Sequence, residues 1–535
     1  MAQPTVRDAV LDVFRERGLT KLFANPGSTE VPFLAGLPAD FEFVLGLHEA
    51  PLVAMASGFA IGRGEPALVI LHTTAGLGTA VGALATARVN RAPLVVLVGQ
   101  QDRRHLAHEP FLAGRLAGLA GEYPVWTDQP VRPQDVPGAI SRAWHEATTG
   151  RGPAIVIVPM DDWSAPAPDA SDPPAAPSRL VRATTADPAA AEELAGILAD
   201  ARSPTIVVGA GADEPETWDA LVELAEKLNA PVWQESFGGR AGFPQDHPLF
   251  AGHLPAERDR LRARLQPYDV VLVVGGAAFR QYSYVPGPHV APGTRVLVVT
   301  DDPAEAHRSA AELAVLAPLA PLCVQLALRL PRREPAARET PADPPLAGSA
   351  HQNPLHAGDV FDELVERLPH DAILVEESPS SRPELHAKVP VRTPLGFVSA
   401  AMGGLGFGMA AAIGLKMARP DRPVLSVVGD GSSLYAVHAL WTAAHCRVGA
   451  LSIVLSNGGY AVMDRLAERY GDTAPWPSFE VDVAGLARAF GCPARRVKNR
   501  SELVSAFDEV IPTLAERSEP LLLEILVAPD ETFEP

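Results

Sequence analysis

The chain is predicted to be α/β, with three doubly wound parallel-sheet domains. Three observations carry that prediction. Short apolar runs of strand length alternate with helical runs along the whole chain, the pattern of parallel sheets covered by helices on both faces. Glycines and polar side chains cluster where the apolar runs stop, which is where such sheets gather their ligands. Two proline-rich stretches, Ser164–Ser178 and Pro331–Ala350, can form neither packed helices nor central strands and read as linkers. They divide the 535 residues into segments 1–163, 179–330 and 351–535, each within the usual domain size of roughly 100–200 residues.

In the first segment, Val6–Arg17 is expected as helix and Lys21–Ala24 as strand, followed by the turn Asn25-Pro26-Gly27-Ser28. Phe43–Leu47 reads as a strand running into His48-Glu49. The small-residue run Leu52–Ile61 reads as helix, Ala67–Leu71 as a strand ending at His72, Ala75–Ala87 as helix, and Leu94–Val98 as a strand ending at Gly99-Gln100-Gln101. Ser28, Glu30, Glu49, His72 and Gln100–Gln101 therefore all fall at or just past strand ends, positions that converge in such a sheet.

The central segment repeats the layout, with strands expected at Thr205–Gly209, Val270–Gly275 and Arg295–Thr300 and helices at Glu216–Lys227 and Pro255–Leu265. Its turn Gly209–Asp213 (GAGAD) resembles part of a dinucleotide-binding loop without the full G-x-G-x-x-G pattern. A plain packing turn needs the same glycines.

The third segment is the informative one. A strand (Val424–Val428) ends in Gly429-Asp430-Gly431-Ser432, an amphipathic helix follows, and a second strand (Leu451–Leu455) ends in Ser456-Asn457-Gly458-Gly459. Asp430, Asn457 and the Gly459 carbonyl offer three hard oxygens to one small cation, the partial cage that Mg2+ prefers when phosphate and water complete it. The glycines let backbone approach a phosphate, and the helix opening at Ser432–Ser433 favours an anion. Glu376-Glu377-Ser378-Pro379-Ser380 follows the strand Ala372–Val375, and Met402–Phe407 forms a glycine-rich turn.

Composition narrows the partners. A formal net charge of −19 argues against nucleic acid and anionic membrane, and no run of ~18 apolar residues marks a membrane span. Three cysteines, Cys323, Cys446 and Cys492, have no metal-ligand spacing and fit a reducing cytoplasm. An acid at a strand end in apolar surroundings suits proton exchange, because burial raises its pKa. Glu49 meets that description, although an acid there also caps the following helix. Ser28 is good turn chemistry in its own right, and a histidine such as His72 at the end of an apolar strand is often simply a satisfied core residue. His48 and His105 have only that ordinary reading.

The GDGS and NGG turns resemble the diphosphate motif of the thiamine diphosphate-dependent 2-oxoacid decarboxylase and acetolactate synthase superfamily. Asn25-Pro26-Gly27-Ser28-x-Glu30, His48-Glu49-Ala50, His72-x-x-Ala75-Gly76 and Gly99-Gln100-Gln101 extend the likeness to its benzoylformate decarboxylase branch, as do Tyr268–Leu272 and Ala439–Ala444. The resemblance implies a pyrimidine-binding, a central and a diphosphate-binding domain, with thiamine diphosphate and Mg2+ as cofactors. It implies that Glu49 activates the aminopyrimidine ring, that Ser28 binds the substrate carboxylate, and that His72 acts as acid and base on the substrate oxygen. Gly403 would accept a bond from the cofactor amino group and Leu405 would be the apolar wedge bending the cofactor. Asn25, Pro26, Gly27, Ser380, Gly431, Ser432 and Tyr460 would line the cofactor, with Asp430, Asn457 and Gly459 on the metal. The implied activity is non-oxidative decarboxylation of an aromatic 2-oxoacid to an aldehyde and CO2, in a homodimer or homotetramer with active sites between chains.

The sequence departs from the family pattern in two places. Tyr282 stands where a second catalytic histidine is usual, and a phenol of pKa near ~10 is a poor base at neutral pH. Ser456 and Gly459 replace bulkier polar residues. Val462, Met463 and Leu466 beyond them would line an apolar substrate pocket, and methionine reshapes such pockets readily. Two other readings stay open at this point: an acetolactate synthase-like carboligase, and a protein that retains the fold without turnover.

Overall fold

The computed structural model describes residues 3–169, 176–334, 354–471 and 476–529. It contains three six-stranded, wholly parallel sheets. In the first, β1 (Lys21–Asn25), β2 (Glu42–Leu45), β3 (Ala67–Leu71), β4 (Leu94–Gln100), β5 (Trp126–Asp128) and β6 (Pro153–Pro159) lie in the order β2-β1-β3-β4-β6-β5. The central sheet holds β7 (Pro204–Val208), β8 (Val232–Gln234), β9 (Phe250–His253), β10 (Val270–Val274), β11 (Arg295–Thr300) and β12 (Leu313–Leu316), ordered β12-β11-β10-β7-β8-β9. The third holds β13 (Ile373–Glu377), β14 (Phe397–Ser399), β15 (Val424–Gly429), β16 (Leu451–Ser456), β17 (Ala494–Val497) and β18 (Leu521–Leu526), ordered β14-β13-β15-β16-β18-β17. The central strands of each sheet, such as β3, β4, β10 and β15, are nearly continuous Val, Ile and Leu and are buried on both faces, as parallel strands under helices must be.

The expected strands Ala67–Leu71 and Arg295–Thr300 are found as read. The run Phe43–Leu47 is shorter: β2 stops at Leu45, and Glu49 is the first residue of a helix, Glu49–Arg63, whose N-cap is His48. The helix expected from Pro255 begins only at Arg258, behind the cap residue Glu257. Residues 164–169 of the first expected linker lie against the first domain, with Ala167 N donating to Pro4 O at 2.9 Å. Residues 170–175, and 335–350 of the second linker, lie outside the described residues.

The first and third sheets share a core. The helices Glu49–Arg63 and Gly408–Ala418 are apolar around most of their circumference, so they can only be buried. They pack backbone to backbone. A Cβ added to Gly58 would lie 2.1 Å from the Ala411 carbonyl oxygen, and one added to Gly414 would lie 1.8 Å from that of Met55. Leu52–Ile61 and Met409–Leu415 thus contribute to a single apolar cluster. Thr442 Oγ1 donates to Leu45 O at 2.8 Å across the same junction. No helix among the described residues is long and apolar enough to cross a membrane.

Candidate active site

The C-terminal ends of β1 and β3 carry two acid-containing units. In one, Glu49 accepts a hydrogen bond from Asn25 Nδ2 on Oε1 and one from Thr79 Oγ1 on Oε2, both 2.9 Å. Each carboxylate oxygen is therefore held, and the group is fixed at the head of its helix. In the other, the buried Glu30 faces His72 Nδ1 at 2.9 Å and accepts from Gly27 N at 2.7 Å and from Thr29 Oγ1 at 2.5 Å. Thr29 Oγ1 also lies 3.1 Å from His72 Nδ1. The contact to Glu30 engages Nδ1 and orients the ring, leaving Nε2 without a partner on Glu30 or Thr29.

Glycines make this convergence possible. A Cβ on Gly27 would sit 2.4 Å from the His72 ring, and one on Gly99 would sit 1.7 Å from Glu30 Oε1. Ser28 is exposed beside them, as is Thr79.

The third sheet supplies the second half. Asp430, the first residue of the helix Asp430–Ala436, is buried at the end of β15. Its carboxylate accepts from Gly431 N on one oxygen and Gly458 N on the other, both 2.7 Å. Burial raises its pKa above the usual carboxylate range, with the Gly458 and Gly431 amides opposing. Asn457 Oδ1 accepts from Gly459 N at 3.1 Å, and the space facing Gly459 is open to at least 4 Å. Gly431 is held close to aromatic rings: an added Cβ would lie 2.6 Å from Tyr460 and 3.3 Å from Phe479, which pack on each other at 5.0 Å. Ser432 is buried and Ser380 half-buried in the turn after β13.

Between these parts runs Met402–Leu405, exposed throughout, with Gly403 at φ +74°. Val462, Met463 and Leu466 lie on the helix Ala461–Arg469, which buries no residue within the chain. Tyr282 is 53 % exposed and meets Phe237 edge-on at 6.4 Å. Among the described residues, the hydrogen bonds of Glu49 go to the first domain alone. One chain does not by itself bond Glu49 to the Asp430 side.

Sequence reasoning missed several residues that build these sites. Glu377 was read as part of a polar tail after a strand ending at Val375, but it is the last residue of β13 and is buried. It accepts from Gly406 N at 2.6 Å and Gly408 N at 2.5 Å. Burial pushes its carboxyl up to about 7, against the pull of those amides. Two acids closing an apolar strand were the available signal, since such groups are not buried without dedicated donors. Thr29 left no pattern in the sequence.

The central turn Gly209–Asp213 is filled by the protein's own atoms. Gly211 N donates to Gly275 O at 2.7 Å, and Ala210 N donates to Glu235 Oε1 at 3.0 Å. The Arg91 guanidinium stands 2.5 Å from where a Gly211 Cβ would be. The packing reading of this motif is the one that holds.

Three family models match the chain in order. They are the thiamine pyrophosphate enzyme N-terminal TPP binding domain over residues 4–115, the central domain over 191–326, and the C-terminal TPP binding domain over 383–525. The chain belongs to the thiamine pyrophosphate enzyme family. A benzoylformate decarboxylase of Pseudomonas aeruginosa is 38% identical over 99% of this chain and 100% of its own length. An acetolactate synthase isozyme 3 large subunit of Escherichia coli is 24% identical over 93% of this chain and 90% of its own. Among solved structures, the thiamine diphosphate-dependent 4-hydroxybenzoylformate decarboxylase of Rhodococcus jostii RHA1 superposes with a TM-score of 0.93 at 35% identity, covering 99% of this chain and 100% of that one. Benzoylformate decarboxylase from Polynucleobacter necessarius gives 0.92 at 30% identity, covering 99% of each. Along the chain, the two binding domains lie on either side of the central one. The space open before Gly459 and the hard oxygens of Asp430 and Asn457 fit a metal-bound diphosphate.

Proposed function

We propose that this chain is a Mg2+- and thiamine diphosphate-dependent 2-oxoacid decarboxylase that converts an aromatic substrate of the benzoylformate type to an aldehyde and CO2. One observation carries the reading. In a chain with both thiamine pyrophosphate binding domains, the first sheet orients two proton-transfer groups side by side, Glu49 on Asn25 and Thr79, and His72 on Glu30. The full-length likeness to benzoylformate decarboxylase supports the substrate class over the more distant acetolactate synthase likeness.

When bound, the cofactor would supply the electron sink for the bonding pair that carbon dioxide leaves behind. Glu49 would hold and return the proton exchanged with the aminopyrimidine ring. His72 Nε2 gives and takes the proton at the substrate oxygen, its ring held by Glu30. Ser28 donates to the substrate carboxylate, and Tyr282 serves as a hydrogen-bond donor rather than a base. The Gly403 carbonyl would accept a bond from the cofactor amino group, and Leu405 would be the apolar wedge against the cofactor. Asp430, Asn457 and the Gly459 carbonyl would hold Mg2+. No cluster of three or more His, Cys, Asp or Glu side chains competes for a metal among the described residues. Asn25, Pro26, Gly27, Ser380, Gly431, Ser432 and Tyr460 line the cofactor, and Val462, Met463 and Leu466 line the acyl pocket. The domain limits are those of segments 1–163, 179–330 and 351–535.

A homodimer, alone or doubled into a homotetramer, completes the site. The helix Thr73–Val89 exposes Ala75, Gly78, Thr79 and Gly82 on one face, with nothing within 4 Å of the two glycine positions. That face lets a second helix approach closely, next to Glu49. The test is a panel of aromatic and aliphatic 2-oxoacids with Mg2+ and thiamine diphosphate, reading CO2 and aldehyde together. Equal release of both from aromatic acids is expected. A ligation product in place of aldehyde makes the chain a carboligase, and binding of cofactor without any release makes it non-catalytic.

A further inference from the structure

The segment Met402–Leu405 is an exposed arch whose two ends are gripped by buried side chains from different parts of the chain. Before it, residues 399–401 of the third domain are held by the first and central domains. Asn90, buried at the C-cap of the helix Thr73–Val89, donates from Nδ2 to Ser399 O at 2.9 Å and accepts on Oδ1 from Ala401 N at 2.8 Å. From the central domain, Ser399 N donates to Gly239 O at 2.8 Å, and Arg280 Nη2 donates to Ala401 O at 2.7 Å. After the arch, Glu377 gathers the amides of Gly406 and Gly408, which open the helix Gly408–Ala418. Gly406 is at φ +94°, and a Cβ added there would lie 2.9 Å from the Tyr435 Cβ, on the helix that begins with Asp430. Within the arch, a single turn bond from Gly403 N to Ala400 O, 2.8 Å, is the backbone contact.

We propose that Asn90 and Glu377 are positioning residues for the cofactor site. They pin the two feet of the arch and so fix where the Gly403 carbonyl and the Leu405 side chain stand. The proposal rests on the cofactor reading above. Its physical basis is that an arch of exposed backbone with a left-handed glycine has many conformations, and two tethers select one before the ligand arrives. A preorganised site binds more tightly because the ordering cost is already met. Asn90 adds a further consequence. It belongs to the first domain, so the cofactor contacts of the third domain depend on how the first is docked.

The test is calorimetric titration of the full-length apoprotein with thiamine diphosphate at fixed Mg2+, for wild type, Asn90→Ala, Asn90→Asp, Glu377→Gln and the Asn90→Ala/Glu377→Gln double variant. Each single variant is expected to weaken cofactor binding roughly tenfold, the scale of a lost charged or paired buried hydrogen bond. The KM for the 2-oxoacid should stay within about twofold of wild type, as a loss confined to the cofactor requires. Asn90→Asp keeps the acceptor but sets a buried carboxylate against the Ser399 carbonyl, so its loss should be at least that of Asn90→Ala. Because both tethers act through one arch, their binding losses should combine to less than the product while their effects on Tm add.

Folded single variants that bind cofactor as wild type does overturn the proposal. A wild-type chain that binds no cofactor overturns the functional reading first, and this proposal with it. If a variant does not fold, amide exchange on the wild-type apoprotein decides. Slow exchange at Gly406 and Gly408 is expected, and exchange there as fast as in the exposed arch contradicts the tether.

Discussion

Two glycine-rich turns in this chain follow a parallel strand and open a helical turn, and they have opposite fates. Gly429–Ser432 ends β15 with nothing nearer to the Gly429 Cβ position than the turn's own Ser432 hydroxyl at 3.8 Å, and with the facing Gly459 open. Gly209–Asp213 ends β7 with a Gly275 carbonyl 2.5 Å from the Gly209 Cβ position and Arg91 against Gly211. Both sequences have the small residues that let something come close. What differs is the occupant. In the third sheet Tyr460 stands over Gly431 while the Gly459 position stays open, whereas in the central sheet the backbone of β10's own exit loop and a guanidinium from the first domain fill the turn. Glycine reports close approach, and only the packing says of what.

The comparison breaks most visibly at the two aspartates. Asp430→Ala should abolish measurable thiamine diphosphate binding at micromolar cofactor, a loss of about 100-fold or more, since it removes the one carboxylate of the cation cage. Asp213→Ala, at the equivalent turn of the central sheet, should leave that affinity within about twofold while lowering Tm, because its carboxylate serves Leu395 N at 2.8 Å and Arg240. Titration and thermal melts of both variants decide this.

His72→Ala should lower kcat by about 10² to 10³, the usual worth of a positioned acid-base group. Glu30→Gln should cost about tenfold, because the ring remains but its carboxylate partner does not. Steady-state kinetics with the cofactor saturating separates the two. Gly211→Ala sharpens the contrast from the other side. Its Cβ meets Arg91 and the Gly275 carbonyl, so stability should fall by about 1–3 kcal/mol with cofactor affinity unchanged.

The smallest effect is a pH dependence. Burial pushes the Glu235 carboxyl, which caps Ala210 N in the central turn, from its ordinary 4.5 up to about 7. The folded state then holds a proton that the unfolded chain has released, so this group's contribution falls as pH rises through that window. Glu235→Gln removes the titration and keeps the acceptor. Its Tm should exceed that of wild type at pH 8, and the gain should shrink toward pH 5. A gain of equal size at both ends would contradict the assignment.

Much of the fold was legible because parallel strands announce themselves: Ala67–Leu71 and Val424–Val428 are apolar runs of strand length bounded by glycine and polar residues. The short edge strands Trp126–Asp128, Phe250–His253 and Ala494–Val497 were not legible. Edge strands are exposed on one side and need no apolar continuity. At the site, strand-end logic found Glu49, His72 and Asp430 because strand ends converge by topology. It could not find Asn90 or Thr29, which act through hydrogen bonds to partners far away in sequence or to a side chain of ordinary turn type. It placed Glu30 near a strand end without a partner, and only the folded chain shows its carboxylate against His72.

The central claim is that an acid from the first sheet works on a cofactor anchored by the third. The most direct measurement compares wild type and Glu49→Gln for cofactor affinity and for CO2 and aldehyde release from an aromatic 2-oxoacid. The account predicts cofactor binding within about threefold of wild type and release lowered by about 10³-fold. Release by Glu49→Gln at a rate near that of wild type would contradict it.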